Sequence, residues 1–134
     1  MPWNVGQVLE PLKKPPITRD QLRAYAGASG DNNPIHLDDD FAKQAGFPSV
    51  IVHGMISMAF QADHLQKNFP ADHYLVRRLK ARFRKVTFPG DVLNCEGVVR
   101  KVLADGALVV SLLTRNQNGE VTSDGEAEVL PQVH

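Results

Sequence analysis

The amino-acid sequence predicts an α+β domain in which an antiparallel sheet curls around one apolar helix, and three observations lead to that expectation. Residues Met55 to Lys67 contain no proline or glycine. They repeat apolar side chains at helical spacing through Met55, Met58, Ala59, Ala62 and Leu65, with Ile56 and Phe60 widening the apolar surface. From Tyr74 onward the period drops to two, as a strand with one wet face requires. Two hairpin signals, Asp105-Gly106 and Asn118-Gly119, then divide the C-terminal half. A helix followed by such strands segregates to one face of the sheet.

Each element has a local reason. Thr18 and Gln21 form the signature of a capping box, and Leu22, Tyr25 and Ala26 share one helical face until Gly27, Ser29 and Gly30 stop it. Asp31-Asn32-Asn33-Pro34 is dense turn chemistry, with Pro34 holding Asn33 out of helical geometry. Asp38 caps a short helix over Asp39 to Ala45, which Gly46 ends. Val50-Ile51-Val52 leads through His53-Gly54 into the long helix, whose all-round apolar character calls for enclosure. Leu75, Leu79, Ala81 and Phe83 alternate with Arg78, Lys80, Arg82 and Arg84. After Pro89-Gly90-Asp91 turns the chain, Leu93, Cys95, Gly97 and Val99 alternate with Asn94, Glu96 and Arg100. Leu108 to Leu113 follows, and Val121 to Leu130 sets Ser123, Gly125, Ala127 and Val129 against Asp124, Glu126 and Glu128. The expected sheet is a long antiparallel meander, and only Gln132-Val133-His134 reads as a tail.

Composition narrows the function. The 134 residues are expected to form a single domain over 1–134, since one core organises roughly 100 to 150 residues. With 43% hydrophobic and 22% charged residues the chain is globular rather than disordered. Lys+Arg 15 against Asp+Glu 15 gives net charge +0, so no global field draws it to nucleic acid or anionic lipid. The single Cys95 allows no intrachain disulfide, which points to a reducing cytoplasm. Met1-Pro2-Trp3-Asn4-Val5 lacks a basic n-region followed by an apolar run, and no stretch of about 18 apolar residues occurs, so neither export by a visible signal nor a membrane span is expected.

Two polar clusters concentrate the chemistry. Asp31 and His36 stand five positions apart across the proline turn, a separation that lets both side chains converge. A carboxylate beside an imidazole suits holding and deprotonating a water. Equally, Asp31 can cap the turn while His36 serves as a surface or core residue. The second cluster is Val50-Ile51-Val52-His53-Gly54-Met55. Free N–H groups at a helix start can donate to an oxygen gathering negative charge, particularly at Gly54, where no side chain obstructs approach. Close packing at Gly54 and capping by His53 explain the same residues.

Taken together, Gly30-Asp31-Asn32-Asn33-Pro34-Ile35-His36-Leu37-Asp38, Phe41-Ala42 and Ile51-Val52-His53-Gly54-Met55 resemble the hydratase motif of MaoC-like dehydratases, which include (R)-specific enoyl-CoA hydratases. The sequence is also similar to (3R)-hydroxyacyl carrier-protein dehydratase subunits. Phe83 and Pro89-Gly90-Asp91 match the family's later strand and turn. The resemblance implies a hot-dog fold and the reversible syn addition of water across the trans-2,3 double bond of an enoyl thioester, giving the (3R)-hydroxyacyl product. It implies Asp31 and His36 as catalytic pair and the Gly54 amide as donor to the thioester oxygen. Asn33, His53, Met55, Ser57 and Met58 are the expected substrate-side residues, Asn33 as orienter of the turn and Ser57 as a small residue beside an acyl chain. No metal or redox cofactor is implied, and coenzyme A or phosphopantetheine enters only as the substrate handle.

Two further classes share the fold. A hot-dog thioesterase usually carries a carboxylate on or near the central helix, where Asp63 is the only acidic residue between Met55 and Phe69. A non-catalytic acyl-binding subunit would lack the acid–base pair, which is present here. The basic run Arg77, Arg78, Lys80, Arg82, Arg84 and Lys85 reads as the solvated face of an outer strand or as a patch for a phosphate-bearing handle or an acidic carrier protein. His64 and His73 read as surface residues. Cys95 reads as an inward strand residue, not a nucleophile. Unpaired sheet edges and the family's habit together imply at least a homodimer, with a heterodimer as the variant.

Overall fold

Five strands form one antiparallel sheet, in the order β1-β3-β4-β5-β2, in the computed structural model of the chain, which describes residues 3–132. The strands are β1 (Leu12–Lys13), β2 (Tyr74–Phe83), β3 (Asn94–Val102), β4 (Leu108–Arg115) and β5 (Val121–Pro131). The helices are α1 (Arg19–Ser29), α2 (Asp39–Gln44) and α3 (Gly54–Asn68), with a 3-10 turn at Pro34–His36. The end of the expected tail, Val133-His134, lies outside the described residues, as do Met1 and Pro2.

The local signals read true. Gln21 N–H donates to Thr18 Oγ1 at 3.1 Å and Thr18 N–H donates back to Gln21 Oε1 at 2.7 Å, closing the capping box of α1. Gly30 ends α1 in the left-handed region, φ 79°, with its N–H on Ala26 C=O. Asp38 caps α2 through Asp40 and Phe41 N–H.

The meander is only partly as expected. Strands β3, β4 and β5 pair consecutively, but β2 joins the far side of β5 instead of pairing with β3. The ten residues separating β2 from β3, 84–93, are too long for a tight hairpin and cross in front of α3, where Val52 N–H donates to Thr87 C=O at 2.8 Å. Within β2 the register shifts between Val76 and Arg78, so Arg77 is an extra residue and the side-chain parity reverses there. Leu79 stands opposite buried Ala127 and Val76 opposite buried Val129, which puts Leu75, opposite Leu130, on the outer face. The alternation through Leu75 is therefore corrected by the bulge.

The long helix is phased differently from its apolar spacing. Ile56, Ser57, Phe60, Gln61, His64 and Leu65 are buried, while Met55, Ala59 and Ala62 face outward. Enclosure in the single chain is thus one-sided. Leu65 and Phe69 pack with Leu9, Val99, Val110 and Val129, and Ile56 and Phe60 with Ile17, Val52 and Leu93. A polar layer joins helix to sheet, where Gln61 Nε2 donates to Ser123 Oγ at 3.2 Å and Thr114 Oγ1 at 3.4 Å.

His64 is the clearest correction, because it is wholly buried and its Nε2 is 2.9 Å from Glu10 C=O. Burial lowers its pKa from the ordinary 6.5, with the Glu10 hydrogen bond opposing. Unfolded His64 therefore binds a proton at a pH where the folded residue does not. Its contribution to stability is complete above the unfolded value and is lost as pH falls below it. The lowered carboxylates, Asp39, Asp105, Glu120 and Asp124, start from 3.8 to 4.5 and add their losses only in more acid solution. The melting temperature should thus fall between about pH 7.5 and about pH 5.5, and His64→Gln should flatten that slope. Equal slopes in the two proteins would contradict the assignment.

Candidate active site

Asp31 sits where α1 gives way to the 3-10 turn, and each step of that turn is held by a side chain. Ser29 Oγ accepts Asp31 N–H at 3.1 Å, Asp31 Oδ1 accepts Asn33 N–H at 3.4 Å, and Asn33 Oδ1 accepts Ile35 N–H at 3.1 Å. Pro34 pre-sets the backbone for the turn that delivers His36. The His36 ring donates Nδ1–H to Ile51 C=O at 2.8 Å, which leaves the Nε2 lone pair facing outward. Nε2 lies 4.0 Å from Asp31 Oδ2. That gap is too wide for a direct hydrogen bond and close to the span of one bridging water.

The segment accepting the His36 hydrogen bond is itself fastened on both sides. Ile51 N–H donates to Ile35 C=O at 3.1 Å, and Val50 N–H to Asp39 Oδ1 at 3.0 Å. Arg19 forks onto both Asp39 oxygens, at 3.0 and 2.9 Å. The Val50 amide first, and Arg19 second, hold the Asp39 carboxyl below its ordinary range. Asp39 thus ties α1, α2 and the approach to α3 together, a role beyond complementing a helix dipole.

Gly54 opens α3, so its N–H has no carbonyl one turn earlier within the helix, and no backbone carbonyl among the described residues accepts it. A Cβ at Gly54 would stand 3.0 Å from the Phe83 ring, which explains glycine there. A cavity of about 310 Å³ brings His36, Gly54 and Ser57 together against Phe83, Thr87 and Thr122. Asp31 stands at its side with the carboxyl half exposed.

Asp31, His36, His53, Gly54 and Ser57 are therefore neighbours, as the motif implies. Asn33 spends its carbonyl on the turn, while Met55 is 54% exposed on the outer face of α3. Met58 is half-buried and lines none of this cavity. On the opposite wall Phe83, half exposed, is carried by the matched strand, whereas Arg84 to Thr87 and Thr122 have no signature in the sequence, because the β2–β3 crossing and the pairing of β5 bring them there. Arg84 and Lys85 line the cavity but are ion-paired with Asp124 and Glu120, and Arg82 and Arg78 with Asp124 and Glu128. The basic run is largely a cross-strand ladder, as the solvated-face reading has it. A larger hollow of about 650 Å³ at Val8, Pro11 and Val98 has one acidic group, Glu96, already paired with Arg115. Burial raises the Cys95 thiol pKa, in keeping with an inert residue.

The profile of the family described as MaoC like domain matches residues 3–122. Mouse peroxisomal multifunctional enzyme type 2 is 44% identical over 70 residues, which cover 51% of this chain and only 9% of that protein. Mitochondrial 3-hydroxyacyl-[acyl-carrier-protein] dehydratase of Arabidopsis thaliana is 31% identical over 135 residues, 97% of this chain and 79% of that one. The solved unliganded R-hydratase of Pseudomonas aeruginosa superimposes with a TM-score of 0.87 at 30% identity, covering 98% of this chain and 83% of the other. The curled sheet packed on α3 is thus the hot-dog arrangement.

Proposed function

Given that the chain belongs to the MaoC-like dehydratase family, we propose that it is a hydro-lyase adding water reversibly to trans-2-enoyl thioesters to give (3R)-3-hydroxyacyl thioesters. The observation that carries this reading is the water-wide gap between Asp31 and His36 beside the Gly54 amide. The Gly54 N–H donates to the thioester oxygen and stabilises the charge that forms there when C3 is attacked. Water held between Asp31 and His36 loses a proton to Asp31 as its oxygen bonds to C3, His36 sharing that water and helping to move the proton. The enolate-like charge then returns to C2, which takes up one proton, so the elements of one water are added from one side.

No metal is needed. One donor atom each from Asp31, His36 and His53 lies within 4.8 Å of the others, but the two imidazoles stack at 3.9 Å with planes 22° apart. Ring lone pairs lie in the ring plane, so these two run side by side instead of converging on one ion. Coenzyme A is the preferred handle, with a carrier protein as the alternative. Asp63, the residue a thioesterase would require, pairs with Lys14 at 2.7 Å on the exposed side of α3, which favours hydration over hydrolysis. A cytoplasmic setting rests on the single, buried Cys95. Among the described residues no helix is long and apolar enough to cross a membrane.

A homodimer is part of this reading. Strand β2 ends the sheet with one edge unpaired, and Leu75, Val76 and Phe83 are exposed along it. Light scattering should return twice the mass of the 134-residue chain, and Val76→Lys should shift it toward one. A monodisperse single-chain mass for the parent protein would contradict the dimer. The function itself is tested by following enoyl absorbance with crotonyl-CoA and a longer trans-2-enoyl-CoA while titrating free thiol. Loss of absorbance without thiol release is expected, whereas thiol release alone would mark a thioesterase.

A further inference from the structure

His53 is the one ring in the site that points away from solvent. It is 2% exposed and lies between two other rings, stacked on His36 with centroids 3.9 Å apart and edge-on to Tyr25 at 4.7 Å. Its Nε2 stands 3.2 Å from the Asp31 backbone carbonyl, so Nε2–H donates there. Nδ1 is buried without a hydrogen-bond partner among the described residues. The ring therefore offers no exposed polar atom to an incoming substrate. Nor does it cap the helix, since α3 has no side-chain hydrogen bond at its N-cap.

We infer that His53 is a positioning residue that fixes Asp31, His36 and the Gly54 amide relative to one another, rather than a substrate contact. This rests on the hydration reading above for its catalytic consequence, though not for its structural content. The backbone of Asp31 is fastened by the His53 donor, and the face of the His36 ring is braced by the His53 ring. The peptide bond from His53 leads directly into Gly54, and the His53 carbonyl accepts Ile56 N–H at 3.0 Å, fixing the first turn of α3. One side chain thus connects the two motif segments, which stand 22 residues apart. Asp31 otherwise depends on the short turn bonds to Ser29 and Asn33, and its carboxyl is half exposed.

Three substitutions divide the roles. His53→Gln retains an N–H donor for the Asp31 carbonyl and loses the stack, His53→Phe retains the stack and loses the donor, and His53→Ala loses both. Displacement of a reacting group by about 1 Å can cost on the order of 10²-fold in rate. His53→Ala should therefore lower kcat by about 10²-fold with KM within about threefold, and Gln and Phe should each recover part of kcat. If His53→Ala does not fold, the Gln and Phe variants decide, each being expected between wild type and a 10²-fold loss at nearly constant KM. A raised KM with kcat unchanged would overturn the inference in favour of substrate contact, and kcat equal to wild type would overturn it outright. The structural half has its own readout in the His36 Nδ1–H resonance. It should be slow to exchange in the parent protein and fast in His53→Ala, or in both His53→Gln and His53→Phe if the alanine variant does not fold. An unchanged resonance would overturn the inference. A parent protein with no hydratase activity would refute the proposed function while leaving this test intact.

Discussion

Asp31→Asn should lower kcat/KM for a trans-2-enoyl thioester by about 10³-fold while moving the melting temperature by no more than a few degrees. The two halves of the carboxylate explain the separation. Oδ1 accepts the Asn33 amide at 3.4 Å, and an asparagine oxygen can take that bond over. Oδ2 faces His36 Nε2 at 4.0 Å, and an NH₂ there replaces an acceptor by a donor, so water between the groups loses its base. His36→Ala should cost activity on the same scale, but it also removes the hydrogen bond to Ile51 and the stack on His53, so a loss of about 1 kcal/mol in stability accompanies it. With both groups on one water, as proposed, the double variant should be little worse than either single one. Additive losses, measured as kcat/KM on folded proteins, would mean that they act separately.

The largest effect on stability should come from Gly125→Ala. Gly125 sits mid-strand in β5, opposite Ala81 of β2 and Leu112 of β4, and a Cβ there would fall 2.2 Å from the Lys80 carbonyl oxygen. That oxygen belongs to the sheet backbone and cannot swing aside as a side-chain end would, so β2 must move. Overpacking typically costs about 1–3 kcal/mol, and a clash with backbone belongs at or beyond the upper end. At roughly 3–6 °C per kcal/mol for a chain of this size, the melting temperature should drop by about 10 °C or more. Phe83 and residues 84–87 continue from β2 into the cavity wall, so activity should fall with it. Gly27→Ala is the matched control. A Cβ there meets nothing within 4 Å inside α1, and alanine should be neutral or stabilising by about 0.5–1 kcal/mol. Two similar melting curves would show that the β2–β5 contact yields more readily than its backbone register implies.

Legibility followed the range of the interaction. The Thr18–Gln21 box, the Asp38 cap, the proline turn and the extents of β2 to β5 are set by neighbours a few residues away and appear close to where the sequence places them, whereas β1, two residues paired with β3, has no local pattern. The partner of β2 is decided by a ten-residue crossing and by packing against β5, neither of which leaves a local pattern. The Arg77 bulge escapes detection because an extra residue in a strand of mixed charge and apolarity leaves the alternation on its C-terminal side intact. The phase of α3 is not legible from its apolar spacing because its outward side carries Met55, Ala59 and Ala62, apolar enough to imitate a core. Ser57, Gln61 and His64 lie inward instead, Gln61 on the Thr114 and Ser123 hydroxyls and His64 on the Glu10 carbonyl.

The site divides in the same way. Asp31, His36, His53 and Gly54 were legible because two short segments hold them. The cavity wall from Arg84 to Thr87 belongs to neither segment, and of the two methionines expected beside the substrate Met55 is exposed on the outer face of α3 and Met58 lines none of this cavity.

The central claim is that one face of the enoyl group receives both parts of a water molecule while the thioester oxygen rests on Gly54. Hydration of a trans-2-enoyl-CoA in D₂O, followed by determination of configuration at C3 and of the deuterium at C2, tests it most directly. The expected product is the (3R)-hydroxyacyl thioester with deuterium added from the same side as oxygen. A (3S) product, or deuterium from the opposite side, would contradict it.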